Sequence, residues 1–268
     1  MNKILQNILF GVFIISLMSL IFLSFGKKRD DIKSNVNNSK FSTISPIGKS
    51  EANVWSTLHQ WKDYDQNSYS DYFKVRLDDF YGVESYKKSL DTWGEELYRM
   101  LYNYDRPNLD LIYVTLSNIQ YNNKLDRLDF AKVLVSFVQS IPYAYVLENS
   151  CDEEYNLDPE VKEAMDNGTQ CDGFNTWGLN SPVEFMKNSL GDCDTRTLFL
   201  YTIMRKFRYD VVILNSDTHS ILGVKLPSSG NYLSYLGERY YMWETTAKNW
   251  EIGDVSPSDQ NDSWEIIP

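Results

Sequence analysis

Histidine is nearly missing from this chain: only His59 and His219 occur in 268 residues, beside three cysteines, Cys151, Cys171 and Cys193. So sparse and scattered a set has no recognisable ligand spacing, and no metal site or other cofactor is expected. Positive charge is also short, with 26 Lys and Arg against 37 Asp and Glu and a formal net charge of −11. Phosphate binding needs clustered basic side chains, and the only cluster is Lys27-Lys28-Arg29. Nucleic acid is therefore excluded as a partner, and a neutral or basic substrate surface is favoured. Aromatic residues, by contrast, are abundant, at 19 Tyr, 13 Phe and 7 Trp, and with an ordinary charged fraction they describe a folded domain.

The first 29 residues hold one long hydrophobic run, Ile4 to Phe25, sufficient to cross a bilayer as a helix. An uncleaved membrane anchor is the reading. A cleaved signal segment competes with it, but no small-x-small cleavage site follows. Residues 30–50 are rich in Asn, Ser and Lys without periodicity and read as a flexible linker. A folded domain then occupies 51–268, with an insertion at about 148–180.

Cys151 and Cys171 both fall in that Asn-, Asp- and Gly-rich insertion, whose one helix-like stretch is Pro159 to Met165. A disulfide between them would close the loop and would require an oxidising compartment; two unpaired loop thiols in a reducing cytoplasm are the alternative. Lys27, Lys28, Arg29 and Lys33 after the apolar run favour a cytoplasmic domain by the positive-inside rule. The cysteines argue the other way, and the expectation is a membrane-anchored protein facing an extracytoplasmic, periplasmic space. Asp152, Glu153, Glu154, Asp158 and Glu160 crowd the insertion as a solvated acidic loop, since they lack regular calcium-ligand spacing.

Alternation predicts strands at Val54–Trp61 and Tyr72–Leu77. Helical periodicity follows over Glu84–Tyr104, with Trp93, Leu97, Met100 and Leu101 on one face, then over Leu109–Ile119 and Leu128–Ile141. Pro142 stops the last of these. Ser181-Pro182-Val183-Glu184 is a capping-box helix start that delivers the chain to Gly191. A long apolar helix opens at Cys193, and strands are expected at Tyr209–Asn215, His219–Leu226 and Arg239–Thr246. The fold class is thus α+β: a nucleophile-bearing helix packed on an antiparallel sheet, preceded by a mainly helical N-terminal extension.

Cys193 is the candidate nucleophile. At a helix start its thiol meets unpaired backbone N–H groups and the positive end of the dipole, which favour thiolate. His219 opens one strand and Glu244 lies near the end of the next, so that an imidazole faces the thiol and a carboxylate can orient the imidazole. Asp217 is the rival acid, but it belongs to the turn before His219. His59 has no such company, and Trp177 and Trp243 read as packing.

These residues resemble the transglutaminase-like superfamily of papain-fold cysteine enzymes, and its bacterial members in particular. The resemblance rests on Gly191-Asp192-Cys193-Asp194, Thr218-His219-Ser220-Ile221 and Trp243-Glu244-Thr245-Thr246, with Phe137-Val138-Gln139-Ser140-Ile141-Pro142-Tyr143 ahead of them. It covers roughly Leu128 to Ile252 and departs from the family in having Glu244 where Asp or Asn is usual. It implies a papain-like core and a Cys193, His219, Glu244 triad acting on an amide bond of a protein or peptide. The oxyanion would be met by the Cys193 N–H and a further donor, for which Gln139 is the candidate and a helix-surface glutamine the plainer reading. A membrane-tethered cysteine peptidase or amidase is the leading expectation. A transglutaminase-type acyl transferase and a catalytically idle, anchored binding module of the same fold are the alternatives.

Overall fold

The computed structural model describes residues 53–257 and 259–268, which belong to one compact unit, Ser50–Pro268. The chain enters as an antiparallel ribbon, β1 (Val54–Lys62) and β2 (Ser68–Arg76), with Trp61 opposite Tyr69. Trp61, Tyr69, Phe73 and Val75 are buried on one face of it, and Phe73 stacks on Phe137 with ring centroids 4.5 Å apart. Phe137 belongs to the helix Arg127–Ser140, so the ribbon packs against that helix. His59 lies here too, edge-on to Phe73 and Phe137, as a packing residue.

The N-terminal helices are α1 (Leu77–Lys87), α2 (Glu95–Asp105), α3 (Asp110–Asn122) and α4 (Arg127–Ser140). The single helix expected over Glu84–Tyr104 is therefore two. The chain breaks at Ser89-Leu90-Asp91-Thr92-Trp93-Gly94, where Gly94 takes φ 60°, and turn-forming residues outweigh the apolar spacing. Trp93, expected on the buried face, is 66% exposed.

The insertion begins at β3 (Ala144–Val146) and returns at β4 (Gln170–Asp172), a short parallel pair. Between them lie α5 (Cys151–Leu157) and α6 (Pro159–Asp166). The first of these helices was not anticipated, although Ser150 caps it by accepting from Glu153 N. A Cys151–Cys171 disulfide closes the loop.

Helix α7 (Pro182–Asn188) carries the expected capping box, Ser181 and Glu184 each bonding the other's backbone N–H. Helix α8 (Cys193–Lys206) is buried without interruption from Thr195 to Met204. It lies on a five-stranded antiparallel sheet of order β7-β8-β6-β5-β9, formed by Val211–Asn215 (β5), Ser220–Val224 (β6), Tyr232–Tyr235 (β7), Glu238–Trp243 (β8) and Glu265–Ile267 (β9). Val211, Ile213, Leu222, Val224 and Trp243 join the main core that also holds the helices. Val212, Leu214, Ile221, Tyr240 and Met242 form a smaller core on the opposite side. That alternation is the two-residue period of a sheet covered on both faces.

One expectation is corrected. Among the described residues no helix is long and apolar enough to cross a membrane, while the run from Ile4 to Phe25 and the linker at 30–50 lie outside the described residues. A transmembrane anchor and a membrane partner are not carried forward.

Candidate active site

Cys193 is the first residue of α8, and Asp192 caps the helix by accepting from Thr195 N at 3.1 Å. Gly191 is required before them, because a Cβ there would lie 2.7 Å from Thr195 Cγ2 and 2.8 Å from Phe185 Cδ2. Two strand ends complete the group: His219 immediately precedes β6 and Glu244 immediately follows β8. One turn into α8, Thr197 Oγ1 donates to Ser220 O at 3.0 Å and lies 3.2 Å from Thr245 Oγ1. A single helical side chain thus ties the neighbours of both residues to the nucleophile's helix.

His219 stands beside the Cys193 thiol and acts to lower it, and His219 Nε2 lies 2.8 Å from Glu244 Oε2, which leaves Nδ1 as the ring nitrogen open to the thiol. Glu244 Oε1 accepts from Thr245 N, Thr246 N and Thr246 Oγ1 at 2.7, 2.9 and 2.7 Å. Burial would raise the Glu244 carboxyl, but His219 and these donors hold it below its usual value. Burial likewise opposes charge on His219, yet the thiol and Glu244 push it up to about 11. Asp217 is exposed in the turn, and no contact brings it to the imidazole.

The thiol itself departs from the expected depression. Burial pushes Cys193 up; the His219 hydrogen bond pulls it down, and Asp194 and Asp192 push it up again. A helix N-terminus favours thiolate, but here it is flanked by two carboxylates and half-buried. His219 opposes them, by its hydrogen bond and its charge.

Gln139 is buried and both of its amide donors are employed: Nε2 donates to Glu244 O at 2.8 Å and to Trp250 O at 2.9 Å, while Oε1 is buried without a hydrogen-bond partner among the described residues. It is neither a helix-surface glutamine nor a free oxyanion donor. Its donors instead hold the backbone at Glu244, a role invisible when the partner lies 105 residues away. Trp243 is fully buried, its Nε1 directed at Tyr64 Oη and Trp250 O, and Trp177 Nε1 donates to Lys87 O; both are packing residues.

Residues that the sequence did not suggest complete the surroundings. Tyr98 Oη donates to Asp194 Oδ1 at 2.7 Å. Trp264 stands 6.4 Å from His219 by ring centroids, and its Nε1 donates to Asp259 O. Among the described residues, the ligand atoms of Asp259, His219 and Glu244 lie within 4.8 Å of one another, but Oε2 and Nε2 of that group are already joined by their hydrogen bond.

Comparisons with protein-family models, with curated proteins and with solved structures find no match.

Proposed function

We propose that this protein is a cysteine hydrolase, a peptidase or amidase of the transglutaminase-like, papain-fold kind. The observation that carries the reading is the gathering of a thiol at a helix start, His219 and a fully hydrogen-bonded Glu244 that holds the imidazole at 2.8 Å. Cys193 Sγ attacks an amide carbonyl carbon, its proton held by His219. The tetrahedral oxyanion meets the Cys193 backbone N–H, one of the helix's unpaired first-turn donors. His219 then protonates the leaving nitrogen as the C–N bond breaks. Water, deprotonated by His219, attacks the thioester and releases the acid. Hydrolysis is preferred to transfer because water is the only acceptor it needs. The Cys151–Cys171 bond argues for an oxidising, extracytoplasmic compartment.

Iodoacetamide labelling tests the reading directly, because Cys193 is the one free thiol in the chain. Alkylation rate against pH in the full-length protein is expected to depend on His219. His219→Ala should move the apparent thiol pKa upward by a unit or more, about a tenfold slower reaction at neutral pH. Superimposable profiles would make Cys193 a structural thiol and the protein a binding module.

A further inference from the structure

Arg196 sits one turn into α8 and is fully buried. Its guanidinium meets only carbonyl oxygens among the described residues: Nε donates to Gly191 O at 2.8 Å, Nη1 to Val138 O at 3.1 Å and Thr245 O at 3.4 Å, and Nη2 to Ile141 O at 2.8 Å. These acceptors are not scattered. Gly191 is two residues before the nucleophile, Thr245 directly follows the acid, and Val138 and Ile141 end α4. Pro142 explains part of the arrangement, since it has no N–H to give the Val138 carbonyl; Ile141 N at 3.1 Å and Arg196 stand in.

A buried cation answered only by neutral dipoles is costly unless anions form nearby. Burial lowers the guanidinium to about 10, and Tyr143, Asp192, Glu244 and Cys193, each in its anionic form, would pull it back up. We propose that Arg196 is the positioning residue of this site: its fork locks the nucleophile loop to the acid strand, and its permanent charge supports the thiolate and the Glu244 carboxylate. Tyr143, whose ring centroid lies 5.5 Å from Arg196 Cζ, covers it. The inference rests on the reading of Cys193 as a nucleophile paired with His219.

The titratable groups around the thiol are Asp192 and Asp194 on its own segment, Tyr98 from α2, Tyr143 and Tyr145 after α4, Arg196 and His219, with Glu244 behind the imidazole. Against that predominantly acidic and phenolic set, removing the nearby cation should raise the thiol. Cys193 alkylation is measured against pH in wild type, Arg196→Lys and Arg196→Met, with circular dichroism and melting to verify folding. Methionine keeps neither charge nor fork, and the apparent pKa should rise by at least one unit, tenfold in rate at neutral pH. Lysine keeps the charge without the fork and should recover part of that loss. A folded variant of either kind that superimposes on wild type overturns the proposal. Should Arg196→Met not fold, Arg196→Lys decides alone: an upward shift supports the proposal and an unchanged profile refutes it. His219→Ala in the same assay separates the two questions, because a response to His219 with none to Arg196 sinks this inference and leaves the hydrolase reading standing.

Discussion

At the scale of single residues, the length of Glu244 has a visible use. One carboxylate oxygen folds back over the two following residues to take three donors, which frees the other to face His219 at 2.8 Å. Aspartate lacks the methylene needed to do both. Glu244→Asp should therefore give up either the backbone anchorage or the imidazole, and His219, held at about 11 in the native site, should fall toward the ordinary 6.5. Ring-proton NMR titration checks this cleanly, since His59 is the sole other histidine. A His219 pKa unchanged in the variant would mean that Glu244 does not carry its charge. Cys193, His219 and Glu244 were legible in the sequence because each has a local sign: a glycine-aspartate helix entry, or a polar residue at a strand boundary. The work of Gln139 and Arg196 was not, because their acceptors lie 49 to 111 residues away except at Gly191. No spacing rule reports a carbonyl that arrives from another element.

At the scale of elements, legibility followed capping chemistry. The start of α7 was readable because Ser181 and Glu184 form a reciprocal box within four residues. The break between α1 and α2 was missed because Leu97, Met100 and Leu101 do continue a helical stripe, while the turn is set by Gly94. Strands β3, β4, β7 and β9 have three or four residues each, too few for alternation to register. The insertion shows what replaces such a pattern. It is held by a three-residue parallel pair and one disulfide, and Gly173 is needed beside that bond because a Cβ would lie 2.8 Å from Cys151 N and 3.0 Å from Cys151 Sγ. With 20 residues separating the cysteines, loop-closure entropy assigns the cross-link about 3 kcal/mol. The double variant Cys151→Ser, Cys171→Ser should lose about that much in urea unfolding and become sensitive to protease between 147 and 175. Full retention of stability and resistance would show that β3, β4 and the helices hold the insertion unaided.

Over the whole molecule, the α+β arrangement followed from one apolar helix placed between capped helices and strands. What the composition could not disclose is how much charge the fold takes inside. Lys87 is 1% exposed and bonds Asn175 Oδ1, Leu179 O and Glu184 Oε2, stitching α1 to α7 and to the base of the insertion. Asp105 is fully buried nearby, with Oδ2 accepting from Val183 N at 2.8 Å and the Ser181 side chain beside the carboxyl. Burial pushes its carboxyl up to about 7 against the Ser181 side chain, the Val183 bond and Lys87, with Glu184 adding to the shift. The sign follows from proton uptake: an unfolded Asp releases its proton near 3.8, whereas the folded chain keeps it to about 7. Stability from this group is thus complete below the lower value and is lost as pH rises through the upper one. Asn accepts from Val183 as well as Asp does and never ionises. Asp105→Asn should therefore exceed wild type at pH 8 by on the order of 1–3 kcal/mol, with the gap closing toward pH 4. Urea titrations at the two pH values measure it. A difference that stays constant between them would mean that the fold holds Asp105 charged, with Lys87 rather than a proton as its compensation.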